Sequence, residues 1–416
     1  MDFRPTARAQ ELLERLDAFL TERLDPVEPA ILRELDAQAP GAFAVPPAMR
    51  ELQSAARDAG LWNLFLPEPA DVPGVPETLA GPGLANAEYA ILAERLGRSA
   101  IASEVCNCNA PDTGNMEVLL QFGTPEQQER WLAPLLRGEI RSAFCMTEPD
   151  VASSDATNMQ ATARIEGDEV VLDGEKWWST GVGHPDCEVL IFMGLTDPDA
   201  HRYGQHSMVL VPRDAPGVTV ERLLPTMGFL DAPGGHGRVR FDGVRVPVDH
   251  VIGTPGGAFG IAQARLGPGR VHHCMRLIGL AELALELACR RATTRVAFGK
   301  PLANLGGNRE RIADARMKID QARLLVLHAA WLLDTEGLAG ALGAVSQIKV
   351  VVPNMAQEVI DMAIQLHGGA GLSDETPLAG AWTMARALRL ADGPDEVHRG
   401  VIARLELAAY KAQAAA

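Results

Sequence analysis

Phe144-Cys145-Met146-Thr147-Glu148-Pro149 marks the point where the periodicity of the chain changes, and that change decides the fold. Before it, apolar residues recur at helical spacing. Leu12, Leu13, Leu16, Phe19, Leu20 and Leu24 form one stripe, with charged residues on the other face. Residues 49–59 predict a second helix ended by Gly60, and helical patterns resume at 85–97, 112–122 and 125–137. Thr124-Pro125-Glu126-Gln127 supplies an N-cap, a first-turn proline and a capping-box glutamine in order. Residues 67–83 are crowded with Pro and Gly and read as loop.

Beyond the hexapeptide the period falls to two. Met159, Ala161, Ala163 and Ile165 alternate, Glu166-Gly167-Asp168 turns, and residues 170–172 continue as strand to a second turn signal at Asp173-Gly174. Further short strands are expected at 188–193, 207–211, 218–223 and 238–241, a spacing that suggests a small antiparallel sandwich or barrel. From about residue 253 the helical period returns, over 257–297, 308–335, 341–367 and 394–413. The expected fold is mainly α with a central β domain. It has an N-terminal helical domain (1–142), a middle antiparallel β-barrel or sandwich (143–252) and a C-terminal four-helix bundle (253–416).

Composition narrows the function classes. A 416-residue chain predicts two or three domains. A net charge of −16 argues against nucleic acid, which needs clustered Lys and Arg. Six cysteines without a CxxC pair read as reduced thiols. The start, Met1-Asp2-Phe3-Arg4-Pro5, lacks the basic and apolar regions of a signal peptide. The apolar runs predict no membrane span, and a cytoplasmic protein is expected.

Five segments could carry chemistry, and each has a plain structural reading. The opening hexapeptide with Ser153-Ser154-Asp155 reads as an edge strand and a turn. Lys176-Trp177-Trp178-Ser179-Thr180-Gly181 places adjacent indoles on opposite faces of a strand, one free to stack on a ligand. Arg295-Val296-Ala297-Phe298-Gly299-Lys300-Pro301 ends a long helix with ordinary stop signals. Gln365-Leu366-His367-Gly368-Gly369-Ala370-Gly371 is a glycine run with no preceding strand, so not a Rossmann fingerprint. Ala391-Asp392-Gly393-Pro394-Asp395-Glu396 reads as a helix start with Asp392 at or beside the N-cap. No metal constellation is present, since the adjacent His272 and His273 cannot share a helix face.

Taken in order, the five segments resemble the acyl-CoA dehydrogenase family over essentially the whole chain. The match is nearest to a branch that in animals is fused to an aminoglycoside-phosphotransferase-like kinase domain. It is carried by MTEPDVASSDATN (146–158), DAPGGHG (231–237), GPGRVHHCMRLIG (267–279) and ADGPDEVHR (391–399). This chain has no length for a kinase domain and is expected to be a stand-alone relative.

The resemblance implies an FAD enzyme that oxidises an acyl-CoA thioester between its α and β carbons. Asp392 would take the α proton while the β hydride goes to flavin N5. It also implies cofactor contacts from Phe144, Met146, Thr147, Ser153, Ser154, Trp178, Ser179, Thr180, Arg295, Phe298, Gln365, Gly368, Gly369, Pro394 and Glu396. Substrate contacts are implied for Ser154, Arg270 and Gly393. Arg295 and Phe298 would reach the FAD of a neighbouring subunit, implying a homodimer or homotetramer, and an electron-transferring flavoprotein would take the electrons. Most of the family has Glu at the base, whereas this branch has Asp, one methylene shorter. A minority places the base where this chain has Gly269, which cannot serve. His236, Arg270, His272 and His273 either read a polar group on the substrate, such as a 4-hydroxy or 4-phosphorylated acyl chain, or are ordinary surface. An oxygen-reacting oxidase or monooxygenase on the same fold, or a scaffold that has lost the chemistry, are the alternative readings.

Overall fold

The computed structural model describes residues 4–414; Met1–Phe3 of the start and the end of the Ala-rich tail lie outside the described residues. Helices α1 (Ala7–Phe19), α2 (Glu28–Asp36), α3 (Pro47–Asp58), α4 (Asn86–Leu96), α5 (Ala102–Val105), α6 (Asp112–Phe122), α7 (Pro125–Gln127) and α8 (Ala133–Arg137) come first. Strands β1 (Arg141–Cys145), β2 (Thr162–Glu166), β3 (Glu169–Thr180), β4 (Cys187–Leu195), β5 (His206–Pro212), β6 (Val218–Leu223) and β7 (His236–Pro247) follow. The chain ends in α9 (Ala258–Thr294), a β8–β9 hairpin (Val296–Ala297 and Lys300–Pro301), α10 (Asn308–His367), α11 (Leu378–Ala387) and α12 (Asp395–Ala414). The mainly helical fold with a central β region is as the period changes predict. The chain forms two compact units: Ala18–Leu84 with Ser103–Gly269, and the residues up to Asp17 with Ala85–Ala102 and the chain from Arg270.

The unit containing Ser103–Gly269 holds a sheet of order β1-β4-β2-β3-β7-β6, with β5 also on β4. Most pairs are antiparallel, but β4 lies parallel to β1, with Ala143 beside Leu190, and to β2, with Thr162 beside Leu195. The antiparallel expectation therefore fails on both of these sides of β4: β1 enters from a helix, and β2 and β4 are not joined by a hairpin. β4 and β5 are buried almost throughout, so they read as apolar runs and not as alternation. Phe192 and Phe241 meet at 4.6 Å in the core. Asp173-Gly174 is not a turn. β3 runs straight through it, and the register on β7 slips between Leu172 and Gly174. A Cβ at Gly174 would lie 2.6 Å from the Ala161 Cβ, and its φ of +133° suits only glycine, so the residue marks a bulge.

The Thr124 cap forms as expected, its Oγ1 accepting from the Gln127 N–H at 3.2 Å. Behind β1 lies an ion network invisible to periodicity. Arg141 pairs with Glu104 (2.6 Å) and Asp112 (3.3 Å), and the Ser142 N–H donates to Asp112 at 2.8 Å. Burial pushes Asp112 up to about 6, against the pull of Arg141. Such a network fixes the start of β1.

Glu117 on α6 is buried, and one of its carboxylate oxygens has no hydrogen-bond partner. Burial pushes its pKa up to about 8, with Arg265 opposing. A folded-state value above the unfolded one means that folding favours the protonated form. The stability that protonation supports is full below about pH 4.5, declines as pH rises and is lost above about pH 8. At roughly 1.4 kcal/mol per tenfold change in proton affinity, holding the charge costs on the order of 5 kcal/mol. Glu117→Gln is therefore expected to stabilise the protein strongly near pH 8 and little near pH 5. Denaturation midpoints at the two pH values check it; equal gains at both would reject the buried acid.

In the other unit α10 is broken at Gly337 (φ +69°, ψ −175°), which divides the two helices expected over 308–335 and 341–367. One 18-residue window within 308–371 reaches a mean hydropathy of 1.2, long and apolar enough to cross a membrane by composition. Half of that window is buried inside the protein, as in a core helix. The sequence reading had found no such run. α11 was also unforeseen, because Leu378-Ala379-Gly380-Ala381 carries little apolar periodicity. All six cysteines are unbonded, and five are buried.

Candidate active site

The hexapeptide and the paired tryptophans lie together in one unit. The Met146 carbonyl accepts from Lys176 Nζ at 2.9 Å, and the Thr147 carbonyl accepts the Trp177 N–H at 2.9 Å. Lys176 is fully buried, and its ammonium also reaches Glu148 Oε1 and the Met193 carbonyl, each at 2.7 Å. Glu148 in turn accepts the Gln160 and Ala161 N–H groups at 2.8 and 3.0 Å. Phe144 is half-buried beneath the Arg265 guanidinium, 3.9 Å from its ring centroid. Ser153 serves the turn, its hydroxyl accepting the Glu148 N–H at 2.9 Å, while Ser154 is exposed.

A second bulge aims the indoles. The β3–β7 register breaks between Lys176 and Ser179, and Trp178 takes φ +52°, rare for a bulky side chain. Trp178 is left 41% exposed, with the His236 ring 5.6 Å away. Thr180 Oγ1 lies 2.9 Å from His236 Nδ1, and Asp231 lies 3.5 Å from Nε2. His236 is thus part of the Trp178–Thr180 surface and not loose loop. The side chain of Ser179, expected to touch the cofactor, is fully buried in the strand, whereas Trp178 and Thr180 remain accessible.

In the other unit the segment before α12 is held by long-range donors. Lys349 Nζ, itself buried, donates to the Leu388 and Ala391 carbonyls at 2.6 and 2.8 Å. Arg270 Nε donates to the Asp392 carbonyl at 3.0 Å. His398 Nε2 lies 3.2 Å from the same oxygen. Burial pushes His398 down to about 4, so it is a neutral ring whose Nε2–H donates. Asp395, also buried, accepts from Arg389 (3.0 and 2.9 Å) and Asn354 (3.0 Å).

Asp392 itself has φ +57°, and Gly393 follows at +103°. A Cβ at Gly393 would also meet His398 Nε2 at 2.9 Å. Asp392 is therefore not the N-cap: α12 begins at Asp395, and Pro394 immediately precedes it. Its carboxylate instead meets His273, Oδ2 to Nε2 at 3.3 Å. Arg270, read as a substrate contact, is buried, and its Nε–H donates to the Asp392 main chain. His272 is not surface. It is buried edge-on against Tyr89 at 4.9 Å, and burial pushes it down to about 3. Glu396 is exposed, 3.8 Å from Arg399.

The arginine and glycine motifs converge in the same unit. Arg291, Arg295, Gln365, Gly368 and Gly369 border a concavity of about 560 Å³. A Cβ on Gly368 or Gly369 would meet nothing within 4 Å, so these backbones edge open space. Phe298 and Gly299, both at positive φ, form the tip of the β8–β9 hairpin, and Phe298 is 96% exposed.

Models of the N-terminal, middle and C-terminal domains of acyl-CoA dehydrogenases match residues 6–139, 143–244 and 256–407. The chain belongs to the acyl-CoA dehydrogenase family. It is 52% identical to mouse acyl-CoA dehydrogenase family member 10 over 96% of its own length, but spans only 37% of that relative. It is 50% identical to FadE2 of Mycobacterium tuberculosis, assigned to the acyl-CoA dehydrogenases, over 100% of this chain and 99% of that one. A solved Mycobacterium abscessus chain assigned as an acyl-CoA dehydrogenase superposes with a TM-score of 0.93 at 67% identity, covering 98% of this chain and 100% of that chain. This acyl-CoA dehydrogenase carries the lysine, arginine and histidine scaffold around Asp392 on α9, α10 and α12. The sequence assigned no site role to Lys349, and Asp395 read only as part of a helix start. A lone Lys inside the apolar run Ile348 to Val352 was the available signal for Lys349.

Proposed function

We propose that the chain catalyses FAD-dependent α,β-dehydrogenation of an acyl-CoA thioester with Asp392 as the base. The observation that carries this is the fixed placement of the Asp392 main chain, anchored through its carbonyl by Arg270 and His398 and through its neighbours by Lys349. A base held this way needs little reorganisation when it takes the proton. FAD, when bound, supplies the hydride acceptor. The residues present suit it. The arginines and glycine backbones of the 560 Å³ concavity offer donors and room to a phosphorylated ligand, and exposed Trp178 offers an aromatic face to a planar ring. The nearly bare Phe298 at a hairpin tip supports a contact with a second subunit, and hence a homo-oligomer. An electron-transferring flavoprotein is proposed as the acceptor.

Anaerobic mixing of the purified flavoprotein with a panel of acyl-CoAs tests the reading. Bleaching of the flavin band is expected with one class of acyl chain, which would also define the substrate. A flavin that no acyl-CoA bleaches would reject dehydrogenation. Stoichiometric peroxide during turnover in air would shift the assignment to an oxidase.

A further inference from the structure

Thr180 and His236 stand opposite one another on β3 and β7, so their side chains share a face of the sheet. Thr180 Oγ1 lies 2.9 Å from His236 Nδ1, and the far ring nitrogen, Nε2, lies 3.5 Å from Asp231 Oδ2. The three groups form a line from carboxylate through imidazole to hydroxyl. It ends beside Trp178, whose indole lies 5.6 Å from the His236 ring at 50°. The turn that carries Asp231 is pinned by its own backbone. The Gly235 N–H donates to the Asp231 carbonyl at 2.8 Å, and the Gly181 and Gly183 N–H groups donate to the Gly235 and Gly234 carbonyls at 2.9 and 2.8 Å.

This line sets where each hydrogen points. A carboxylate accepts and does not donate, so the neutral ring carries its one proton on Nε2. Nδ1 then presents a lone pair, which takes the hydroxyl hydrogen of Thr180. A hydroxyl has one hydrogen and two lone pairs. With the hydrogen committed to the ring, Thr180 offers a lone pair to whatever lies against Trp178. Ser179 is fully buried and Thr180 half-buried, so Thr180 supplies the hydroxyl of this face.

We propose that His236, aligned by Asp231, is a positioning residue that makes Thr180 a fixed hydrogen-bond acceptor for the N–H that a flavin ring on Trp178 gains when it is reduced. The inference rests on FAD being the cofactor and on its ring meeting Trp178. The hydride-accepting nitrogen of oxidised flavin carries a lone pair, and the same nitrogen carries a hydrogen after reduction. A fixed lone pair on Thr180 opposes the first and accepts from the second, which favours the reduced form. No proton or electron passes through His236.

His236→Phe keeps an aromatic ring beside Trp178 and removes the acceptor. The released hydroxyl can turn and donate to the oxidised ring. The ratio of affinities for reduced over oxidised flavin should therefore fall roughly 3- to 10-fold, the worth of one hydrogen bond. For a two-electron couple that is a drop of about 15–30 mV in midpoint potential. It is read by equilibrating the purified flavoprotein with a reference dye at pH 8, without acyl-CoA. In a Thr180→Val background no hydroxyl remains to orient, so adding His236→Phe should leave the potential unmoved. An equal drop there would show the imidazole acting on the flavin directly and would overturn the proposal. So would an unchanged or raised potential in the single variant. ¹⁵N-histidine NMR of the unsubstituted holoenzyme at pH 8 supplies a readout that needs no variant to fold: His236 should be the neutral Nε2–H tautomer. The Nδ1–H tautomer, or a protonated ring, would reject the assignment. Because no acyl-CoA enters these measurements, their failure leaves dehydrogenation standing. A protein that binds no flavin would overturn both.

Discussion

Asp392→Asn is expected to keep its fold and its flavin and to lose roughly 10²- to 10⁴-fold in the rate of flavin reduction by acyl-CoA, the usual contribution of a general base. The structure makes this a clean substitution. Asp392 sits at φ +57°, a region that Asn enters as readily as Asp. Arg270 and His398 hold its main-chain carbonyl and not its side chain, so both contacts survive. Lys349 likewise grips the preceding carbonyls and not the carboxylate. What is lost is the carboxylate itself: its proton-accepting oxygen, its charge toward Arg270 and Lys349 and its pairing with His273. Asp392→Glu is a sharper comparison, because it keeps a carboxylate. It forces a longer side chain into the left-handed region at a cost of about 1–2 kcal/mol and moves the oxygens by one methylene. Partial activity is expected. Stopped-flow reduction of each variant, after confirming flavin content, measures both. Normal turnover in Asp392→Asn would mean that the base lies elsewhere.

How far the sequence could go depended on how local each cause was. The period change after residue 142, the Thr124 cap and the broken helix at Gly337 are short-range, and all were readable. Asp173-Gly174 misled because a bulge and a turn use the same residues; only the crowding against Ala161 separates them. The tryptophan pair was legible as one face for ligand and one for protein. The mechanism was not plain alternation but a bulge that turns Trp178 through a positive φ. Asp392 was reached through resemblance, since its local signals said only helix start. Its holders were hidden because Arg270, Lys349 and Asp392 meet across more than a hundred, or about forty, positions of sequence. His272 and His273 looked equivalent side by side. A helix turns adjacent residues about 100° apart, so one ring is core against Tyr89 and the other meets the carboxylate.

The same long-range logic makes Lys176 the most consequential residue of the β region. Its ammonium, fully buried, is satisfied by Glu148 and by the carbonyls of Met146 and Met193, and it lies 4.9 Å from the Phe192 ring centroid. Burial lowers its pKa, and the neighbouring Glu148 opposes the shift. The Glu148 carboxylate also clamps two N–H groups of the chain entering β2, so one ion pair ties β1, β2, β3 and β4 together. Lys176→Met fits the volume but strands Glu148 in the interior. Breaking one side of a buried pair costs about 3–5 kcal/mol, a large share of the stability of a typical domain. The urea midpoint should fall accordingly, and flavin should be lost with it, because the Met146–Thr147 edge depends on the same ammonium. Glu148→Gln alone should also destabilise, but the double variant should lie well above the sum of the two, since neither uncompensated charge remains. Strict additivity in that cycle would show that the two groups do not act as a pair, and that the edge offered to the ligand is held by the backbone pairing of β1 with β4 alone.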